Sequence, residues 1–132
     1  MSRSNNKFTK VERLVSKTVI KDVFEKGKQF FLFPFKVFYT PNNLGYNRIL
    51  ISVPKRAHKR AVERNLIKRR IREAYRLNGN RKFQVNFFDI NIVYINNNIS
   101  DFEQIKEKFS DVLERIQKDS IKADITTPAV PD

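Results

Sequence analysis

Apolar residues recur along this chain with two periods, and the changes of period divide it into elements. Residues 16–27, SKTVIKDVFEKG, space Val19, Ile20, Val23 and Phe24 as one stripe of a short helix. Ser16 or Thr18 can cap its start and Gly27 its end. QFFLFPFKVFYT (29–40) is apolar on both parities and predicts a strand, with Pro34 marking an edge position or a bulge. PNNLGYN (41–47) predicts a turn and RILISVP (48–54) a second strand, so the two strands read as a hairpin. FFDINIVYI (87–95) is almost continuously apolar, which predicts a strand buried on both faces. SDFEQIKEKFSDVLERIQK (100–118) is the clearest helix, with Phe102, Ile105, Phe109, Val112, Leu113 and Ile116 on one face. Ser100 and Glu103 make a capping-box pattern at its start.

Between the second and third strands lies KRAHKRAVERNLIKRRIREAYR (55–76), a helical stretch expected to end near LNGN (77–80). The order is α-β-β-α-β-α. It predicts an α+β fold in which a small, mostly antiparallel sheet packs against helices. The length of 132 residues suits one core, assigned to residues 1–118. The polar residues 1–12 are expected to be mobile, and the aperiodic tail 119–132 to be disordered.

Charge changes the picture most. Twenty-seven Lys and Arg against 14 acids give +13. Residues 55–82 hold twelve of those cations and only Glu63 and Glu73, so +10 sits in one segment and +3 in all the rest. A hydrophobic content of 40% excludes a disordered polycation. At ~100° per residue, Arg64, Lys68, Arg72 and Arg76 stack as a stripe, with Asn65 and Arg69 beside it. Ile67, Ile71 and Ala74 form a separate arc that can bury, extended by Val62, Leu66 and Leu77. Each like-charged pair at this spacing costs a few tenths of a kcal/mol in an isolated helix. Phosphates along a nucleic acid would reverse that sign, and Arg forks match phosphate oxygens.

Base-reading helices carry several amide or hydroxyl side chains, and here only Asn65 qualifies, so recognition by charge and shape is expected. Aromatics suit single-stranded RNA, and on the strand 29–40 Tyr39 is the leading candidate for stacking.

Candidate chemistry is sparse. There is no Cys, and His58 is the only histidine, which excludes a Cys–His pair or a zinc cluster. Asp22 and Asp89 read as isolated acids, and no glycine-rich phosphate loop is present. A protein-only nuclease would need clustered carboxylates. No catalytic and no metal-binding residue is expected. No apolar run approaches the ~20 residues that span a bilayer. The N-terminal stretch has no signal-peptide core, and the basic helix lacks a broad apolar face for a membrane surface. A cytosolic protein with no membrane partner is expected.

SVPKRAHKRAVERNLIKRRIREAYR (52–76) resembles the signature of the bacterial ribonuclease P protein subunit. The carriers are Ser52, Val53, Lys55, Arg56, Ala61, Val62, Arg64, Asn65, Lys68, Arg69, Arg72, Glu73, Ala74 and Tyr75, with VFEKG (23–27), KVFYT (36–40) and the element order to about residue 117. The resemblance implies a ribosomal-protein-like two-layer sandwich with a left-handed β-α-β crossover, where ordinary chirality favours the right-handed one. It implies a partner, a large catalytic RNA, and a substrate, precursor tRNA, whose 5′ leader is removed endonucleolytically in the bacterial cytoplasm. Mg²⁺ would be held mainly by the RNA, with no organic cofactor and one protein copy per complex.

By motif, Lys55, Arg56, Lys59, Arg60, Arg64, Asn65, Lys68, Arg69, Arg72 and Arg76 would bind RNA. Ile20, Phe24, Tyr39, Lys68 and Arg72 would line a cleft for the leader. Three positions depart from the pattern: Leu66 stands where an Arg is frequent, His58 where Gly is, and Ile20 where an aromatic is. A ribosomal or general RNA-binding protein of similar fold is the alternative.

Overall fold

The structure, a computed structural model, describes residues 13–77 and 86–126. Its elements are α1 (Lys17–Lys26), β1 (Lys28–Leu32), β2 (Phe35–Asn42), β3 (Arg48–Ser52), α2 (Ala61–Leu77), β4 (Phe87–Tyr94) and α3 (Phe102–Thr126). The α+β class holds, with one strand more than the periodicity predicted. The stretch 29–40 is two strands, because Phe33 and Pro34 form the tight turn between β1 and β2, across a cis peptide bond. Pro34 thus marks a reversal, not a bulge.

The sheet order is β1-β2-β4-β3. β1–β2 and β2–β4 are antiparallel, and β3–β4 is parallel. The predicted hairpin between residues 29–40 and 48–54 is therefore absent. β4 inserts between β2 and β3, since its Phe88, Asp89, Ile90, Asn91 and Ile92 are all buried and only a central strand covers both faces. The β3–α2–β4 unit is the parallel crossover.

One face of the sheet holds the main core. Phe35, Val37 and Tyr39 of β2 and Phe88, Ile90, Ile92 and Tyr94 of β4 meet Ile67, Ile71 and Tyr75 of α2 and Ile105, Phe109, Val112 and Ile116 of α3. Edge-on ring contacts tie the layers, Phe35 lying 6.0 Å from Phe109 and 6.3 Å from Tyr94. α1 crosses the other face over β2 and β4, where Val23 is buried.

Local signals explain the ends of the helices. Ser16 caps α1 by accepting from the Val19 amide at 3.4 Å. Gly27 closes α1 in an extended conformation; a Cβ there would lie 2.5 Å from the Val23 carbonyl oxygen and 2.9 Å from that of Tyr39. The start of α3 differs from the prediction. Asp101, not Ser100, accepts from the Gln104 amide at 2.8 Å, because the Ser100 hydroxyl is held by Tyr94 Oη and Asn96 Nδ2. α3 also continues to Thr126, so residues 119–126 are helical where a disordered tail was expected. Tyr39 donates to Asp119 at 2.9 Å, which fastens the helix past Lys118. The expectations for residues 1–12 and 127–132 fall outside the described residues.

Candidate nucleic-acid interface

α2 is placed by its buried arc, Ile67, Ile71, Ala74 and Tyr75. Tyr75 joins that arc, whereas Val62 and Leu77, predicted to extend it, are exposed. The four-residue stripe is not opposite the arc. A four-residue step drifts about 40° per repeat, so Arg64 starts beside the buried side and Arg76 ends facing outward. The most outward positions are Val62, Asn65 and Arg69.

Three of the helix cations are spent on the fold. Arg64 Nη1 donates to the carbonyls of His58 and Lys59, each at 2.8 Å, and so binds the preceding loop to the helix. Arg70 Nη1 donates to the Ser100 carbonyl at 2.7 Å, reaching toward α3. Arg76 pairs with Glu73, Nε to Oε1 at 3.0 Å, which lowers the Glu73 pKa and raises that of Arg76. Of the predicted RNA contacts, Arg64 and Arg76 are thus engaged within the protein. Asn65, Lys68 and Arg69 carry no such bond among the described residues.

Arg72 is half-buried, and burial, then the nearby charge of Arg13, lower its pKa. A second guanidinium nearby disfavours the charged form.

The loop before α2 supplies Lys55, Arg56, Lys59 and Arg60, all exposed. Arg60 lies 3.8 Å from Glu63. His58, where glycine was the familiar residue, does not disturb this turn; it anchors it. Its ring is 2% exposed, packs against Tyr94, and its Nε2 lies 2.8 Å from the Asn96 carbonyl, an acceptor that requires Nε2 to carry the hydrogen. Its Nδ1 faces Glu63 Oε1 at 3.5 Å. The cationic loop is therefore mounted on the end of β4.

The structure separates two of the residues predicted to line the cleft. Phe24 of α1 meets Phe38, not Tyr39, with ring centroids 4.8 Å apart. Tyr39 is 3% exposed on the opposite face, between Phe30 and Phe88, and burial, then its hydrogen bond to Asp119, raise its pKa. Strand alternation forces this, since neighbours on β2 point to opposite sides. Lys36 was the available signal. A lone cation in an apolar strand marks its wet face, and Phe38, two residues on, shares it.

Ile20 stands at the same wall, its carbonyl accepting from Asn91 Nδ2 at 3.4 Å. Arg72 lies at the far end, because the Arg13–Ile49 bridge puts Arg13 at the outer edge of β3, just before α1 begins.

Asp89, read as isolated, is paired. It accepts from Arg48 Nε at 2.8 Å and Nη2 at 2.9 Å and from Asn42 Nδ2 at 3.0 Å. Among the described residues no three His, Asp or Glu side chains gather as a protein-only metal site would need. No helix of the described residues is long and apolar enough to cross a membrane.

The cationic loop and α2 pack on one face of the sheet and the Phe24–Phe38 pair lies on the other, and comparison with known proteins gives the chain a family. The ribonuclease P family model matches residues 8–117. This chain belongs to the ribonuclease P family. The ribonuclease P protein component of Porphyromonas gingivalis is 44% identical over 73 residues, covering 53% of each chain. The chain thus spans about half the length of the curated relatives it matches first. The solved RNase P protein of Staphylococcus aureus is 26% identical with a TM-score of 0.68, covering 80% of this chain and 95% of that one. That of Thermotoga maritima is 28% identical with a TM-score of 0.68, covering 79% and 96%. Ribonuclease P kinship agrees with the α+β fold found here.

Proposed function

We propose that this chain is the protein subunit of a bacterial ribonuclease P, acting in the cytoplasm on precursor tRNA. Lys55, Arg56, Lys59 and Arg60 on the loop, with Asn65, Lys68, Arg69 and Arg72 on α2, meet the catalytic RNA. Phe24, Phe38 and Ile20 receive the single-stranded 5′ leader. The observation that carries this reading is the division of labour among the cations: the fold uses Arg64, Arg70 and Arg76 and leaves Lys68 and Arg69 without an acid among the described residues.

In this mechanism the protein moves no proton and attacks no bond. Its cations neutralise phosphates that would otherwise repel as catalytic RNA and substrate approach. Release of their counterions makes the association favourable and dependent on salt. The aromatic cleft holds the leader by base stacking, which is indifferent to sequence. The hydrolytic chemistry would come from Mg²⁺ held by the RNA.

Reconstitution tests this directly. The chain should enhance cleavage of precursor tRNA at low Mg²⁺ only when the cognate RNA is added. No enhancement would sink the assignment, and equal affinity for ribosomal RNA fragments would favour a general RNA-binding role. Lys68→Ala and Arg69→Ala should each flatten the salt dependence of RNA binding by about one charge. Arg70→Ala should leave that slope unchanged, because its guanidinium already serves Ser100.

A further inference from the structure

α1 leaves part of its face of the sheet uncovered. Register puts Ser52 of β3, Val93 of β4, Lys36 of β2 and Phe31 of β1 in one row across the strands, next to the row that contains Phe38. Phe31 is 61% exposed, far beyond what a strand residue on a core face shows. Lys36 Nζ lies 5.2 Å from the centroid of Phe31 and 5.2 Å from that of Phe38. An ammonium between two rings is held there by their quadrupoles, so the cation stays on the open surface between aromatic platforms. Phe33, at the hairpin tip, is 56% exposed.

Resting on the leader-cleft reading, we propose that the cleft continues along the β1–β2 hairpin as a second stacking subsite. Phe31 receives a leader base beyond those held at Phe24 and Phe38, and Lys36 contacts the phosphate between them. The occupant is single-stranded RNA, because the surface from Phe31 through Lys36 to Phe38 in the next row alternates ring, cation and ring. Two rings give the bases platforms, and the ammonium between them matches one backbone charge. A second protein copy would instead have to bury the Lys36 ammonium away from water. The subsite makes affinity depend on leader length, which the paired wall of Phe24 and Phe38 alone would not.

The test uses the complex of the full chain with its catalytic RNA and two precursor tRNAs. One leader is just long enough to cover Phe24 and Phe38; the other is longer by a few nucleotides. Phe31→Ala should weaken binding of the long-leader substrate about tenfold and leave the short-leader substrate unchanged. Lys36→Gln should reduce the salt slope by about one charge for the long leader only. Equal losses on both leaders would overturn the proposal. So would no loss from Phe31→Ala while Phe38→Ala weakens both, a result that leaves the cleft reading intact. If Phe24→Ala and Phe38→Ala also change nothing, the cleft reading fails and the subsite with it. Dimerisation of the free protein that Phe31→Ala abolishes, with leader affinity untouched, would identify a second copy as the occupant and overturn the proposal.

Discussion

Phe38 and Tyr39 are adjacent on β2 and serve opposite faces of one sheet. On Tyr39's side the central rings are sealed between the sheet, α2 and α3: Phe35, Tyr94, Tyr75 and Phe109 are all essentially inaccessible. On Phe38's side α1 covers only part of the sheet, and Phe24 and Phe31 remain in contact with solvent. Both faces are aromatic, so residue type does not decide which ring is core and which is available. The helix above it does. Tyr39 even resembles a functional residue, with a polar tip and a shifted pKa, yet its hydroxyl is committed to Asp119.

The contrast can be broken most forcefully on the sealed side. Phe109→Ala removes a ring that meets both Phe35 and Tyr75 and should cost about 3–5 kcal/mol, read by denaturant unfolding. A cost below 1 kcal/mol would mean that this face is not the tight core described. Next in size is Asp89→Ala on the cleft face, which strands the Arg48 guanidinium. That pair is only partly shielded, so a loss of about 2 kcal/mol is expected, at the low end for a broken ion pair. Arg48→Met with Asp89→Leu should restore most of it if the penalty is the unpaired charge.

Smallest in stability is Tyr39→Phe, which removes one hydrogen bond worth about 1 kcal/mol. It carries a pH signature. The unfolded phenol loses its proton near pH 10, while the folded one keeps it to higher pH. Above pH 10 the unfolded state binds fewer protons, so stability falls as pH rises. Unfolding followed from pH 8 to 11 should show a steeper fall for the parent than for Tyr39→Phe; identical slopes would remove Asp119 and burial as the cause.

These outcomes bear on what the sequence could reveal. α3 was legible because Ile105, Phe109, Val112 and Ile116 repeat with the helical period and bury as a block. β4 announced its central place through its unbroken apolar run. The split of 29–40 into two strands was masked, because a stretch apolar on both parities carries no alternation to interrupt, and only Pro34 marked the reversal. The charge of the loop and α2 was plain, but its allocation was not. That Arg64 reaches back to His58 and Lys59, and Arg70 across to Ser100, depends on loop positions set by tertiary packing. Tyr39, assigned to the cleft, is buried on the face opposite Phe24, and Lys36 had already marked the parity that Phe38 shares.

The central claim, that the cleft is built on Phe38 and not on Tyr39, is tested most directly by one pair of variants in the reconstituted complex. Affinity for precursor tRNA is measured against affinity for mature tRNA, which lacks the leader. Phe38→Ala should weaken precursor binding about tenfold and leave mature tRNA unchanged, while Tyr39→Phe alters neither. A leader-specific loss from Tyr39→Phe, or none from Phe38→Ala, would contradict the account.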